Sequence, residues 1–390
     1  MRLTFTLRKS SLSRILLSCN LQEGEASPRS YWKSVKKRAA AAGRFRILQQ
    51  NANMQAVPAC PSSGGHPRNA PTMTIREYKN QIIKNISSSA SPQLDAEVLL
   101  CHFLNYNKTQ LLMHQNEELP EEIKAKLDEA VFRRASGLPI AYITGRKEFY
   151  GYDFIVSPAV LIPKPDTEIL VERAVDVILS MMDARGENLL TICDMCTGSG
   201  CIAIAVAKTL LEDERVAPDQ LPKFTLADIS EPALDIARRN AAELFSKHGS
   251  LVMSRFNFVR TNLFDAITEA IKYDVILSNP PYIPHTMVDE LLQDGRSEPR
   301  LALDGDITIE GDRARELDGQ AKDDGLEIIR NLLPQAQAHL APRGAILMET
   351  GEYNAEATAA LAEEVGFNTE IHRDLEGQLR VVEAWIATSL

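Results

Sequence analysis

After Gly186, short apolar runs alternate with stretches of helical period, and no other feature of these 390 residues limits the fold so strongly. The spacing predicts strands at Leu189 to Cys193, Phe224 to Ala227, Phe256 to Val259, Val275 to Ser278 and Ala345 to Met348. Helices are predicted to start near Gly200, Glu231, Gly325 and Ala355. Short apolar strands separated by helices imply a parallel sheet covered on both faces, because each crossover lays a helix against it. Two further strands, near Phe367 to Ile371 and Arg380 to Ile386, have no helix between them and predict an antiparallel edge hairpin. The expected core is therefore an α/β, Rossmann-like, mostly parallel seven-stranded sheet.

Upstream the pattern differs. Ile75, Tyr78, Ile82 and Ile83 keep a helical period after Thr74, and a capped start at Ser91-Pro92 leads into Leu94, Val98, Leu99, Leu100 and Phe103. Leu111 and Leu112 mark a third short element, and Pro120 opens a fourth helix through Ile123, Leu127, Ala130 and Val131. Residues 73–136 thus read as a small helical domain. A connector over 137–165 carries a predicted β-hairpin around Phe149 to Val156, and the remaining domain runs over 166–390, with Asp166 and Thr167 capping its first long helix. Residues 304–322, rich in Asp and Glu, read as an acidic insertion, expected to be a solvated loop.

Charge divides the chain. Of 43 Lys and Arg and 53 Asp and Glu, residues 1–50 hold 11 basic residues against Glu23 and Glu25, a net of +9. That leaves 32 basic and 51 acidic residues in 51–390, a net of -19, which argues against a protein that coats nucleic acid. The leader interleaves Arg2, Arg8, Lys9 and Arg14 with Leu3, Phe5, Leu7, Ile15 and Leu16, and holds no acid before Glu23. This composition predicts a mitochondrial transit segment over 1–50, joined by a Pro- and Gly-bearing linker over 51–72. Met54 and Met73 offer internal starts for a cytoplasmic form. No stretch reaches the roughly 18 apolar residues of a membrane span, so no membrane partner is expected. Cys193-x-x-Cys196 is half a zinc or redox site with no second half nearby, and no metal is expected.

The chemistry sits at predicted strand ends. Asp194-Met-Cys-Thr197-Gly198-Ser-Gly200 is a Gly-bearing turn between strand and helix, where backbone can pass close to a ligand. Asp228 ends the next strand, where an acid can accept both hydroxyls of a ribose. The full dinucleotide glycine pattern and the GxxxxGK[ST] phosphate loop are absent, so a nucleoside without a pyrophosphate fits best. The fourth strand ends in Asn279-Pro280-Pro281-Tyr282. The prolines fix the backbone, so the Asn279 side chain and the Pro280 carbonyl can accept both hydrogens of a planar NH2, and Tyr282 offers a flat face.

Together these residues resemble an S-adenosylmethionine-dependent class I methyltransferase acting on planar nitrogens. Gly137-x-Pro139-x-x-Tyr142-x-x-Gly145, Phe149-Tyr150-Gly151, Leu161 to Glu168 and Glu298-Pro299 narrow the resemblance to the HemK/PrmC family of protein-(glutamine-N5) methyltransferases, over about residues 73–390. That resemblance implies S-adenosyl-L-methionine as cofactor, held by Asp194, Thr197, Gly198, Gly200, Asp228, Asn262 and Asn279. It implies Asn279, Pro280 and Tyr282 as the catalytic set, with Pro281 beside them on the substrate. It further implies a monomer whose partner is a class I peptide-chain release factor, methylated on its GGQ glutamine without direct nucleic acid, and an Ile162 to Glu168 loop closing over the site.

Three positions depart from the family pattern. Cys196 stands where glycine is usual, and its backbone is then expected to avoid conformations that need glycine. Lys164 replaces an arginine, and Asn262 replaces an acid near the adenine while keeping a carbonyl acceptor. Two other functions fit parts of the pattern: adenine-N6 methylation of nucleic acid, since an exocyclic amine suits the same tetrapeptide, and a non-catalytic assembly factor that kept the fold. Neither HExxH nor a Ser/His/Asp set is evident, which sets a hydrolase aside.

Overall fold

The computed structural model describes residues 73–185, 189–293, 297–310, 313–316 and 322–386, so the leader and linker expected over 1–72 lie outside the described residues. The helical domain opens with α1 (Ile75–Asn85). The Thr74 hydroxyl accepts from Glu77 N at 3.3 Å and the Glu77 carboxylate accepts from Thr74 N at 2.8 Å, a reciprocal cap for the exposed end amides. Next come α2 (Pro92–Leu104), α3 (Lys108–Met113) and α4 (Glu121–Ala135). Ser91 precedes α2, but its side chain makes no capping bond, contrary to expectation; Pro92 at the first position removes one of the amides that would need it. Tyr78, Ile82, Leu99, Leu100 and Leu127 form the core of this domain.

The connector holds more than the predicted hairpin. A short helix, α5 (Ile140–Thr144), ends on Gly145 at φ 69° and turns the chain into β1 (Arg146–Phe149) and β2 (Tyr152–Ile155). Tyr150 and Gly151 between them have φ 52° and 77°, the two left-handed residues of a mirror-image turn whose twist matches paired strands.

The second domain runs through α6 (Glu168–Arg185), β3 (Thr191–Met195), α7 (Cys201–Glu212), β4 (Lys223–Asp228), α8 (Glu231–Leu244), α9 (Gly249–Met253), β5 (Phe256–Arg260), β6 (Tyr273–Ser278) and α10 (His285–Gln293). It continues with β7 (Ile307–Glu310), β8 (Arg313–Glu316), α11 (Glu327–His339), β9 (Leu340–Glu349), α12 (Ala355–Val365), β10 (Phe367–Arg373) and β11 (Leu379–Ile386). The seven-stranded sheet has the order β10-β11-β9-β6-β3-β4-β5. Strands β9, β6, β3, β4 and β5 pair in parallel, and β11 pairs antiparallel with both β9 and β10.

Alternate residues supply two cores. Ile192, Val275, Leu277, Ala345 and Leu347 pack on one face with α6, α7 and α8, while Cys193, Met195, Ile276, Ile346 and Met348 pack on the other with α11 and α12. Helix α7 is buried from Cys201 to Ala207 without a polar stripe, as a helix enclosed on all sides must be.

The start of the acidic insertion departs from the expectation of a solvated loop, while its residues 311–312 and 317–321 lie outside the described residues. Asp304 and Asp306 are buried, and Ile307–Glu310 pairs antiparallel with Arg313–Glu316. Burying these charges is offset by partners from outside the insertion. Asp304 Oδ2 lies 2.7 Å from His285 Nδ1 and 3.2 Å from Arg300, and Asp306 Oδ2 accepts from Gly325 N at 2.8 Å. Gly325 is thereby pressed against the tetrapeptide segment. At φ +76°, a Cβ there would stand 2.2 Å from the Tyr282 carbonyl oxygen, which is backbone and cannot swing aside. Gly325→Ala is expected to cost at least about 2 kcal/mol in urea unfolding; an unchanged midpoint would show that this contact yields.

Candidate active site

The site is built where β3, β4, β5 and β6 end. Thr197 N donates to Ala227 O at 3.0 Å and Gly200 N to Thr197 O at 2.8 Å, folding the chain after β3 into a tight turn. Gly198 at φ 55° has open space where a Cβ would lie, whereas a Cβ on Gly200 at φ 77° would meet Ile204 Cδ1 at 2.9 Å and Leu226 at 3.1 Å. One glycine leaves room for a ligand. The other lets helix and strand pack.

Gly200 caps α7 without a side chain, and Asp194 supplies what is missing. Its Oδ2 accepts from Ala203 N at 3.2 Å, the third amide of α7, and from the Thr197 hydroxyl at 2.6 Å. Burial raises this carboxyl to about 7, with the nearby Asp228 adding to the shift.

Asp228 faces the turn from the end of β4. Its Oδ2 accepts from Gly198 N at 2.8 Å and its Oδ1 from Ser230 N at 2.9 Å, which fixes the carboxylate and leaves lone pairs for a ligand. Asn262 follows β5; its Nδ2 donates to Asp265 at 3.2 Å, so its Oδ1 is left as an acceptor. Ser278 ends β6 and its hydroxyl donates to Met195 O at 2.8 Å, locking the two central strand ends together. The next side chain, Asn279, donates from Nδ2 to Thr167 Oγ1 at 3.4 Å, which turns its Oδ1 away from Thr167.

These groups surround a cavity of about 510 Å³. Of the residues singled out in the sequence, Thr197, Gly198, Asp228, Asn262, Asn279 and Pro281 line it. Asp194, Gly200, Pro280 and Tyr282 do not. Asp194 is enclosed beneath the turn, Gly200 packs against α7 and β4, and Pro280 is buried. The Tyr282 hydroxyl points to Glu349 Oε1 at 3.2 Å, while its carbonyl accepts from Asn354 Nδ2 at 3.1 Å and the Tyr353 hydroxyl at 3.2 Å. These four residues shape the wall without forming it.

Cys196 overturns another expectation, for its φ is 61°, in the region glycine favours. Its side chain packs against the core of α11 and β6, and both ends of the turn are held by the bonds above, so the conformation persists despite the Cβ. Lys164, also on the wall, donates to Glu298 at 2.8 Å, and Ile162 N donates to the same oxygen at 3.4 Å. The buried glutamate holds down the loop predicted to cover the site. Lys164 is the single basic side chain among the described lining residues, so the cavity suits a neutral or cationic ligand better than a phosphate.

Thr167 also lines the cavity, although its position before α6 suggests only a helix cap. Asn331 and Gln335 were not anticipated; Gln335 Oε1 accepts from Phe264 N at 3.1 Å and so holds the segment after Asn262. A signal existed, because they are polar at i and i+4 on a helix whose neighbours Leu332 and Leu333 are core.

A mostly parallel seven-stranded sheet with β11 reversed beside β9, and an acceptor-rich cavity at the ends of its central strands, define a class I methyltransferase domain. Two family models match in tandem, a PrmC N-terminal domain over residues 79–145 and a methyltransferase small domain over 169–312. The chain is 37% identical over 313 residues to a release factor glutamine methyltransferase of Koribacter versatilis, covering 80% of this chain and 98% of that one, and belongs to the release factor glutamine methyltransferase family. It is also 37% identical over 297 residues to a relative of the same description from Neisseria gonorrhoeae, covering 75% and 93%. A solved release factor-specific protein-(glutamine-N5) methyltransferase from Alicyclobacillus acidocaldarius aligns at 25% identity over 60% of this chain and 99% of that one, with a TM-score of 0.30.

The raised Asp194 carboxyl makes folding pH-dependent. The folded state keeps a proton that the unfolded chain releases near pH 4, so this group's contribution is full below about 4 and is lost as pH rises through about 7. Relative to wild type, Asp194→Asn should gain about 5 °C or more in Tm between pH 5 and 8. A Tm difference that stays constant over that range would refute the assignment.

Proposed function

We propose that the protein transfers a methyl group from S-adenosyl-L-methionine to the side-chain nitrogen of the GGQ glutamine in a class I peptide-chain release factor, and so supports translation termination. The observation that carries this is Asn279, whose amide nitrogen is engaged by Thr167 so that its oxygen is free to accept from a planar NH2 at the cavity wall. An amide nitrogen is a poor nucleophile, because its lone pair is delocalised. Accepting one N–H at Asn279 Oδ1 orients that nitrogen and stabilises charge developing on it.

The remaining residues fit the cofactor. Asp228 has acceptor capacity for ribose hydroxyls, Asn262 Oδ1 for an adenine amino group, and Gly198 leaves the backbone open beside them. S-adenosylmethionine bound there would supply the methyl group and leave as the neutral thioether S-adenosylhomocysteine, and the proton lost from the methylated nitrogen would pass to water. Pro281 bounds the acceptor end, and the Lys164–Glu298 pair anchors the covering loop. A wall with one basic side chain, itself paired, supports a protein substrate over a polyanion. The protein is read as a monomer that needs no nucleic acid and no membrane.

Intact-mass analysis of a release factor incubated with the protein and S-adenosylmethionine should show a single added methyl, and Asn279→Ala should lower the rate about 100-fold or more. Methylation of an adenine oligonucleotide with none of the release factor would overturn the assignment in favour of the nucleic-acid alternative.

The basic leader, acid-free before Glu23, supports a mitochondrial matrix address, with Met54 and Met73 as starts for a cytoplasmic form. Residues 1–50 fused to a fluorescent protein should carry it into mitochondria; a reporter left in the cytosol would refute that address.

A further inference from the structure

Glu349 ends β9 one residue beyond Met348, which is in register with Ser278, so it stands beside Asn279 at the edge of the sheet. It does not line the cavity, yet it is 2% exposed and faces the groups that position Asn279. Its Oε1 accepts from the Tyr282 hydroxyl at 3.2 Å. Oε2 is enclosed without a hydrogen-bond partner among the described residues, and nearby Thr167 favours the ionised form of the carboxylate. Arg380 on β11 lies nearby, but it is shared with Asp374 at 3.2 Å and Asp166 at 3.4 Å.

A hydroxyl has one proton and must give it to one neighbour while accepting from another. Thr167 Oγ1 accepts from Asn279 Nδ2, so its own proton must go elsewhere, and the buried, unpartnered Oε2 of Glu349 is an acceptor close by. We propose that Glu349 is a positioning residue that sets the polarity of this chain: by taking the Thr167 and Tyr282 protons, its carboxylate makes Thr167 an acceptor, holds Asn279 by its nitrogen, and so presents the Asn279 oxygen to the substrate amide. A neutral side chain at 349 could donate to Thr167 instead. Thr167 would then donate to Asn279, whose amide would reverse and turn its NH2 toward a substrate NH2 that it cannot receive.

The groups facing Glu349 make this order sensitive to pH. Tyr282 and Thr167 act as donors, Arg380 favours the charge, and Asp166 opposes it; burial outweighs them and raises the carboxyl to about 7. Tyr353 acts on Tyr282, and Cys201 on α7 is also within electrostatic range of the carboxylate. Below about pH 7 the carboxyl is increasingly protonated and the polarity is lost, so turnover should rise with pH through that region.

The inference rests on the methyltransferase activity proposed above, and the test separates the two. Wild-type methylation of a release factor establishes the activity, whatever residue 349 does. Glu349→Gln keeps the shape and removes the obligate acceptor. It should lower kcat about 10-fold, short of the loss from removing Asn279 itself, and abolish the acidic limb of the pH profile. The dissociation constant for S-adenosylmethionine should change far less than kcat, because Asp228, Asn262 and Gly198 are untouched and only the Asn279 amide turns. Thr167→Val should reproduce the loss and Thr167→Ser restore it, and combining Glu349→Gln with Thr167→Val should cost little more than either alone, since both act through one amide. Wild-type turnover with an unchanged acidic limb in Glu349→Gln would overturn the proposal. So would full activity of Thr167→Val, a measurement that stands even if Glu349→Gln fails to fold.

Discussion

The site depends on strand ends brought to one line. Met195 pairs with Ala227 on one side and Ser278 on the other, and Ser278 pairs with Met348, so β4, β3, β6 and β9 finish in register. Parallel pairing with a period of two leaves little freedom here, because a slip of one residue would turn every core side chain to the wrong face. With that register fixed, Asp228, the turn after Met195, Asn279 and Glu349 become neighbours although the sequence separates them widely. The Ser278 hydroxyl on Met195 O, at 2.8 Å, ties the central pair where the backbone leaves the ladder.

The residues around this line fall into two groups. Some offer acceptors to the cavity: Asp228, Asn262 and Asn279. Others fix how those acceptors point. Asp194 completes the start of α7, Glu298 holds the covering loop from beneath, and Gln335 holds the segment after Asn262. All three act through backbone amides, which explains why a neutral or anionic acceptor recurs behind the wall.

Much of this was legible in the sequence because it rests on local pattern. The parallel strands, the antiparallel pair at the C-terminal end, the helical domain and the tetrapeptide after β6 all follow from periodicity and turn chemistry. What escaped depends on distant partners. Asp304 and Asp306 look like parts of a solvated acidic run until His285, Arg300 and the Gly325 amide are placed beside them. Nothing in the tetrapeptide itself shows that the Tyr282 hydroxyl meets Glu349 or that Tyr282 stands behind the cavity lining. Gly198 and Gly200 read alike in sequence, yet only packing tells that one faces space and the other Ile204. The short helices α5 and α10 carry too few turns for a period to register.

Cys196 shows how a turn can keep a side chain where glycine is the easier choice. Its left-handed backbone, at φ 61°, costs roughly 1–2 kcal/mol in the folded state. Glycine would avoid that cost but lose about 0.5–1 kcal/mol more conformational entropy on folding, and would surrender the apolar contact that the thiol makes with the core of α11 and β6. The two choices are therefore close to balanced in stability. Residue identity at this turn is set by the folded backbone on one side and by the unfolded chain and the core contact together on the other, with neither side dominant.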